Sequence, residues 1–411
     1  MLQPQRTLDE LKELRALTGD ENGAQRVAFT PVWDRAREWY RSKLEGLPVE
    51  YEVDEGGNTW TTLRGQSERE LLIGGHLDSV PNGGWLDGCL NVMAGLEVLR
   101  RIAAEGTPPV TVRVVDWADE EGARFGRSLF GSSAASGTMN PDDLRALKDK
   151  DSVLLSEAIA RYGLSLDTAK QATRQLKNAA AYLELHIEQG PVLESMSLPL
   201  GVVLGTFGVE RHAIRFTGQA AHSGSTPMDK RRDALGGVSK THLAIREIAV
   251  KYGGGFPGGG GGNQPGLVPP AGAQADMTLD QRHLDADALA NMYREAQEAS
   301  QRAAEEEKIG VEWSMLWRIH PILFHPDLIQ MCEESILETA GVSHRLPSGP
   351  LHDAAEVARI GIPTVMMFVQ SLYGISHNKI EDTREDHIIM SVEALDRLAS
   401  KTMAWIQQQG A

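Results

Sequence analysis

Hydrophobic positions along the first third of the chain recur with two different periods. Residues 30–46 (TPVWDRAREWYRSKLEG) and 91–106 (NVMAGLEVLRRIAAEG) have the spacing of amphipathic helices. Residues 71–80 (LLIGGHLDSV) and 110–122 (VTVRVVDWADEEG) are apolar runs that end in polar residues, which is typical of buried strands. A strand, a helix and a strand at this spacing predict a βαβ unit in a parallel sheet.

A further strand is predicted where apolar and polar side chains alternate along residues 180–194 (AAYLELHIEQGPVLE). Leu183, Leu185 and Ile187 alternate with polar side chains, and the polar set comprises Glu184, His186 and Glu188. A period of two places the polar set on one face of a strand. That face is therefore expected to be aimed at a specific site.

The pattern changes near residue 210, where strand and helix signals follow one another as β-α-β-α-β. The α/β pattern resumes with an apolar strand at 362–369 and closes with a helix at 388–406. We therefore predict an α/β protein of two domains. Residues 1–210 and 328–411 form a catalytic domain with a mostly parallel central sheet flanked by helices, and 211–327 form an inserted α+β domain.

Composition narrows the choice of function. The 411 residues carry 41 Lys and Arg against 57 Asp and Glu, a net charge of −16 that disfavours nucleic acid or anionic membrane as a partner. No apolar run reaches membrane-spanning length, and the N-terminus lacks the features of a signal peptide. Two cysteines suit a reducing compartment, so the cytoplasm is expected. The glycine-rich segment 253–262 is interpreted as a flexible loop.

Histidine and acidic residues are concentrated where predicted strands give way to loops. Imidazole and carboxylate ligands without thiolates suit Zn, Mn, Co or Ni better than Mg or Ca. One bridging carboxylate can hold two such ions about 3.5–4 Å apart, with an activated water between them. The candidate residues are His76, Asp87, Glu120, Glu121, His186 and His377.

Two of these positions have a neighbour that suggests a division of roles. Asp78 follows His76 by two residues, so it is placed to orient the imidazole. Glu120 and Glu121 are adjacent and would point in different directions on a strand. One of them can bind metal while the other acts as a general base.

Five motifs, in this order, give the chain a specific resemblance from about residue 20 to the C-terminus. They are HLDSVPNGGWLDG (76–88), DEEGARF (119–125), LELHIEQGPVLE (183–194), AHSGSTPMDKRRDAL (221–235) and GISHNKIEDT (374–383). Together they resemble the N-carbamoyl-L-amino-acid hydrolases, a branch of the dinuclear-metal peptidase and aminoacylase superfamily. Allantoate amidohydrolases and bacterial β-ureidopropionases share this branch. The resemblance implies that the inserted domain is a lid and dimerisation domain.

The resemblance also implies roles for the metal-site residues. Two divalent metal ions would be bound in each subunit and bridged by Asp87. His76 and His186 would share one metal, and Glu121 and His377 would share the other. Glu120 would be the general base, and Asp78 would support the site from outside the ligand set.

Substrate contacts follow from the same resemblance. His222 would polarise the scissile carbonyl from the partner subunit of a homodimer, Gln189 would contact substrate, and Arg282 would grip the substrate carboxylate as a bidentate fork. The chain departs from the family pattern at two substrate contacts. Asn263 is offset from the usual asparagine position, and GPLHDAAE replaces a more glycine-rich segment but keeps Gly349 and His352.

These observations predict a metal-dependent amidohydrolase acting on a small ureido substrate. The expected reaction converts an N-carbamoyl-L-amino acid to the amino acid, ammonia and carbon dioxide. Allantoate amidohydrolase and β-ureidopropionase remain alternatives within the branch. A dipeptidase or aminoacylase, and a catalytically silent homologue, are less favoured because HIEQGP and all the expected ligands are present.

Overall fold

A computed structural model describes residues 1–253 and 273–409. The chain divides into two compact units, one formed by Met1–Gly205 and Phe324–Ala411, the other by Thr206–Leu323. The glycine-rich segment predicted as a loop lies outside the described residues apart from Gly253, and Asn263 lies outside them as well.

Strands in both units are short to medium in length. In chain order within the described residues they are β1 Gly19–Asp20, β2 Gly23–Ala24, β3 Glu50–Val53, β4 Thr59–Leu63, β5 Glu70–His76, β6 Thr111–Trp117, β7 Ala179–Ile187, β8 Leu200–Thr206, β9 Gly208–Thr217, β10 Gln274–His283, β11 Gly310–Ile319, β12 Ile322–Leu323, β13 Arg345–Ser348 and β14 Thr364–Val369.

Helices alternate with these strands. The α-helices of the described ranges are α1 Pro4–Thr18, α2 Pro31–Ser42, α3 Cys89–Glu105, α4 Phe130–Ser136, α5 Pro141–Leu144, α6 Leu155–Ala160, α7 Val192–Ser195, α8 Ala234–Lys251, α9 Ala286–Glu307, α10 Pro326–Ala340, α11 Asp353–Arg359 and α12 Glu385–Gln408. Short 3₁₀ segments lie at Ala169–Leu176, Met228–Lys230 and Leu372–Gly374.

The first unit is organised around one large sheet, in which the order β8-β14-β7-β5-β6-β4-β3 is continuous. The strands β14, β7, β5 and β6 are parallel to one another, and antiparallel strands flank them on both sides. Every residue of β5, β6 and β14 is buried, as expected when helices cover both faces of a parallel sheet. The predicted α/β architecture with a largely parallel central sheet is confirmed.

The alternation of apolar and polar residues along β7 does not arise from exposure of one face to solvent. All its residues after Ala179 are buried, including the polar Glu184 and His186. The apolar set packs in the main core, whereas the polar side chains find polar partners inside the protein. Buried polar groups are tolerated only with such partners.

The second unit contains a three-stranded antiparallel sheet in the order β10-β9-β11, with α8 and α9 between the strands in the chain. Helices α8 and α9 each begin at an aspartate that accepts a backbone N–H, from Leu235 at Asp233 and from Ala288 at Asp285. The small core of the second unit joins the sheet to the helices through Ile214, Phe216, Ile245, Met277, Leu279 and Ala296.

A helix needs about 20 largely apolar residues to span a bilayer. Within residues 1–253 and 273–409, no helix combines the length and the apolar character needed to cross a bilayer.

Candidate active site

Parallel strands of the first unit deliver the predicted residues to one edge of the sheet. His76 ends β5, His186 is the penultimate residue of β7, and the Glu120–Glu121 pair follows β6. Asp87 immediately precedes Gly88 and α3, while His377 lies in the loop after β14. Carboxyl ends of parallel strands share one edge, where α/β proteins bind their ligands.

The structure brings the five predicted metal ligands together in two groups that share Asp87. One group contains His76, Asp87 and His186, and the other contains Asp87, Glu121 and His377. The Asp87 Oδ1 atom lies 3.0 Å from His186 Nε2 and 3.7 Å from His76 Nε2. The Asp87 Oδ2 atom lies 3.3 Å from His377 Nε2, which is itself 3.2 Å from Glu121 Oε2.

Backbone carbonyls fix the orientation of the two buried imidazoles. The Nδ1 atom of His76 lies 3.0 Å from the Asp78 carbonyl oxygen, and that of His186 lies 2.8 Å from the Ile187 carbonyl oxygen. A carbonyl only accepts hydrogen bonds, so Nδ1 is the donor in both rings. Each Nε2 then faces Asp87, which is the arrangement of a metal-binding histidine held by a second hydrogen bond.

Unpartnered buried atoms indicate that a cation belongs at this edge. The Nε2 atom of His76 and the Oε1 atom of Glu121 are buried and have no hydrogen-bond partner among the described residues. Burial is the main cause that raises the pKa values of Glu120 and Glu121 well above the usual range, and neighbouring carboxylates add to it. Divalent cations would supply the missing positive charge, so these residues fit metal binding.

Glu120 and Glu121 are directed to different parts of the site. Glu120 Oε2 lies 3.7 Å from His76 Nε2, whereas Glu121 lies beside His377. The divergence was predicted for adjacent strand residues, but β6 ends at Trp117. The pair lies in a loop that follows Asp119, whose φ of 53° is in the left-handed region.

Asp78 holds this loop rather than the imidazole alone. Its Oδ1 and Oδ2 atoms accept the backbone N–H groups of Glu120 and Glu121, each at 3.2 Å. The distance from Oδ1 to His76 Nδ1 is 3.7 Å, so the closer partner of that ring is the Asp78 carbonyl. Asp78 therefore links the end of β5 to the loop that carries both glutamates.

Gln189 lies in the first unit beside the shared carboxylate. Its Nε2 atom donates to Asp87 Oδ2 at 2.9 Å and to Ser376 Oγ at 3.0 Å. Its own backbone N–H donates to Ser371 Oγ at 3.0 Å. The predicted substrate-contacting residue is thus held against the loop that carries His377.

The GPLHDAAE segment adds His352 to the polar side chains around His186. Gly349 follows β13, and His352 is the residue that precedes α11. His352 is buried with its ring centroid 4.3 Å from that of His186, and it forms a candidate metal-holding group with Glu184 and His186. Burial lowers the pKa of His352 well below its usual range, so the ring is neutral.

His222 lies in the second unit, in the loop between β9 and α8. The backbone N–H groups of Gly224 and Ser225 both donate to its Nδ1 atom at 3.1 Å. A neutral imidazole that accepts at Nδ1 carries its proton on Nε2. The exposed ring therefore presents an N–H donor, which is the group needed to polarise a carbonyl oxygen.

Arg282 lies near the end of β10 in the second unit, opposite Val209 of β9. Its Nε atom donates to Asp280 Oδ1 at 2.9 Å. Arg211 also pairs with Asp280, so one carboxylate holds two guanidinium groups on this sheet. The predicted carboxylate-binding arginine is thereby fixed along its strand.

Two acidic residues of the site had no predicted role. Glu381 binds the backbone N–H groups of Leu86 and Asp87, and Glu184 accepts from the hydroxyl of Tyr182 and the N–H of Ala354. Glu381 follows His377 by four residues and Glu184 precedes His186 by two, so proximity to a candidate ligand was the available signal. Their backbone partners lie far away in sequence.

Four residues in the loops that build the site have a strained backbone. Asp119, Gln189, Tyr373 and His377 all have φ between 53° and 58°. Residues other than glycine adopt this backbone conformation at a cost of about 1–3 kcal/mol, so surrounding contacts must maintain it. These loops are therefore held in place by their hydrogen bonds.

Comparisons with known proteins identify the family of this chain. Residues 72–401 match the family described as peptidase family M20/M25/M40. An N-carbamoyl-L-amino acid amidohydrolase of Geobacillus stearothermophilus is 33% identical over 94% of this chain and 95% of the relative. An allantoate amidohydrolase of Escherichia coli K12 is 31% identical over 93% of each chain.

Solved structures extend the likeness to the whole fold. A hydantoinase/carbamoylase family amidase from Burkholderia phymatum has a TM-score of 0.86, 30% identity and 99% coverage of both chains. A second such amidase, from Burkholderia ambifaria, has a TM-score of 0.86, 28% identity and 97% coverage of both chains. The chain therefore belongs to peptidase family M20/M25/M40, as one of its metal-binding amidohydrolases.

Proposed function

We propose that this protein hydrolyses the carbamoyl group of N-carbamoyl-L-amino acids, giving the L-amino acid, ammonia and carbon dioxide. The observation that carries the proposal is the pair of ligand groups that share Asp87, with Glu120 beside them. One water molecule is consumed for each carbamoyl group released. The relative from Geobacillus stearothermophilus supports this choice by its name.

Two divalent metal ions complete the site in this proposal. His76 and His186 would hold one ion and Glu121 and His377 the other, with Asp87 as a ligand common to both groups. Zn, Mn, Co and Ni match the nitrogen and oxygen donors. Such ions, when bound, lower the pKa of water and polarise the substrate carbonyl.

Glu120 moves the protons of the reaction. It accepts a proton from the water that attacks the ureido carbon and returns it to the leaving nitrogen. Its backbone N–H is held by Asp78, and its carboxylate lies beside His76. These contacts support a fixed position for the general base beside the proposed metal ligands.

The remaining substrate contacts are proposed from the chemistry of each group. The Nε2–H of His222 stabilises negative charge on the carbonyl oxygen. Arg282 binds the carboxylate, whereas the Gln189 amide, Asn263, Gly349 and His352 contact the rest of the substrate. Arg282 is supported by its fixed orientation on β10, and His222 by the tautomer that its loop imposes.

A homodimer in which His222 serves the partner subunit is part of the proposal. Helix α8 exposes Leu235, Leu243 and Val250 at 60–80% of their surface, and β11 exposes Met315, Leu316 and Trp317. Exposed apolar side chains of this kind are candidates for contact with another protein. The two free cysteines suit a reducing compartment, and we propose the cytoplasm as the location.

Allantoate hydrolysis is the second candidate, supported by the relative from Escherichia coli at 31% identity. Allantoate carries two ureido groups on one carbon, so its pocket must satisfy an additional polar arm. An amino-acid substrate instead presents its side chain in that place. β-Ureidopropionase activity is tested together with both.

Substrate identity is tested by ammonia release after the protein is stripped with chelator and reloaded with Mn, Co, Ni or Zn. We expect release from N-carbamoyl-L-methionine that exceeds release from allantoate and from N-carbamoyl-β-alanine. The reason is the likeness to an N-carbamoyl-L-amino acid amidohydrolase at 33% identity, against 31% for an allantoate amidohydrolase. Faster release from allantoate would assign the second function, and no release with two metals bound would reject the ureido class.

Sharing of sites between subunits is tested by mixing two inactive variants, Glu120→Gln and His222→Ala. A heterodimer with His222 acting in trans has one site that contains both native residues. Random exchange at equal concentrations then restores about one quarter of wild-type activity, because half of the dimers carry one intact site. Each variant exchanged with itself is the control, and no recovery in confirmed heterodimers would place His222 in its own subunit's site.

A further inference from the structure

One buried carboxylate joins the loop that carries Asp87 to the loop that carries His377. Glu381 Oε1 accepts the backbone N–H of Leu86 at 3.2 Å and that of Asp87 at 3.1 Å. Glu381 Oε2 lies 3.0 Å from Ser376 Oγ, in the residue next to His377. Glu381 is 2% exposed, so water does not compete for these bonds.

Ser376 extends this connection to the shared carboxylate itself. Its Oγ atom lies 3.1 Å from Asp87 Oδ2 and receives the Gln189 amide at 3.0 Å. A hydroxyl has one proton, so it donates to Asp87 or to Glu381 at any moment. Glu381 therefore acts on Asp87 in two ways. It accepts the backbone N–H of Asp87, and it contacts Ser376, whose hydroxyl lies beside the Asp87 carboxylate.

A glycine leaves the space that this carboxylate occupies. A Cβ added at Gly84 would overlap the Glu381 carboxyl group, and its three nearest atoms all belong to that group. The φ of Gly84 is not positive, so an alanine is compatible with its backbone. The glycine is thus required by Glu381 rather than by a turn conformation.

We propose that Glu381 is a positioning residue that sets the geometry of both metal positions at once. It fixes the backbone of Asp87, the ligand common to both groups, and ties it to the loop of His377. This role rests on the proposed dinuclear site. Since one residue constrains a shared ligand, its loss lowers the affinity for both metals together.

Metal titration of the chelator-treated full-length protein tests the role without measuring turnover. Co²⁺ is the probe, followed by its visible absorption and by calorimetry. Glu381→Ala is expected to weaken binding by about 10–100-fold, the usual effect of removing a group that supports a ligand. Glu381→Gln should recover most of the affinity, since its amide oxygen still accepts both backbone N–H groups.

Gly84→Ala provides a perturbation that leaves Glu381 unchanged. Its methyl group displaces the carboxylate, so Co²⁺ binding should weaken and the absorption spectrum should change. In a Glu381→Ala background the same methyl group meets no carboxylate and should have no further effect. A double-mutant cycle with this strong non-additivity is the signature of an action through Glu381.

Several outcomes overturn the proposal. Wild-type Co²⁺ affinity and spectrum in Glu381→Ala would do so, as would additive losses in the cycle. A variant that loses affinity only in proportion to its loss of unfolding free energy would show a general structural role. Wild-type metal binding combined with no ureido hydrolysis would reject the proposed function while leaving the role of Glu381 intact.

Discussion

Glu120→Gln is expected to lower kcat by about 10²–10⁴-fold, the range of general acid–base catalysis, while both metal ions remain bound. An amide cannot take the proton of the attacking water, and Glu120 belongs to neither of the two ligand groups that share Asp87. KM should change little, because no substrate contact is assigned to this side chain. Steady-state kinetics and metal analysis of the same preparation measure both quantities.

Glu121→Gln is the matched control for this prediction. It changes the adjacent carboxylate, which lies beside His377 within the second group. We expect this variant to lose metal as well as activity, and excess metal should restore part of its rate. If Glu120→Gln turned over substrate at the wild-type rate with two metals bound, Glu120 would not be the base.

Asp87→Ala is expected to release metal from both positions, with affinity lowered by more than the 10–100-fold typical of an outer supporting residue. Its two oxygens face different histidines, Oδ1 towards His186 and Oδ2 towards His377. Burial acts to raise the pKa of Asp87, but the imidazoles around it, His186 first, hold that pKa well below its usual range. The metal content after dialysis gives the result.

Asp119→Asn supplies the comparison for a buried aspartate outside both groups. Asn tolerates the left-handed conformation at this position, so the loop should persist. We expect this variant to retain two metals. Loss of only one metal from Asp87→Ala would mean that the carboxylate does not bridge.

Strands and helices with a clear period were predicted well. The run LLIGGHLDSV covers β5 from Leu71 to its end at His76, and the predicted inserted β-α-β-α-β segment corresponds to β9, α8, β10, α9 and β11. Local periodicity carries this information because each element buries its own apolar face. The polar face of β7 was expected to be aimed at a specific site, and its Glu184 and His186 are buried within a candidate metal-holding group.

Long-range polar contacts could not be predicted in the same way. Cys89 has no basic neighbour in sequence, yet the Nη2 atom of the buried Arg26 lies 3.5 Å from its sulfur. Burial nevertheless raises the pKa of Cys89 to about 11, which is the behaviour of an inert buried thiol. Glu381 was missed for the same reason, because its partners lie almost 300 residues away.

The position of β14 has a consequence for synthesis of the chain. This strand is synthesised after the second unit but lies between β7 and β8, in the interior of the central sheet. When only the first 206 residues have emerged from the ribosome, β7 and β8 therefore lack the strand that lies between them. The contiguous second unit can complete its own sheet earlier, whereas the first unit must wait for its last segment. His377 arrives with that segment, so the nascent chain acquires its complete ligand set only when the sheet closes.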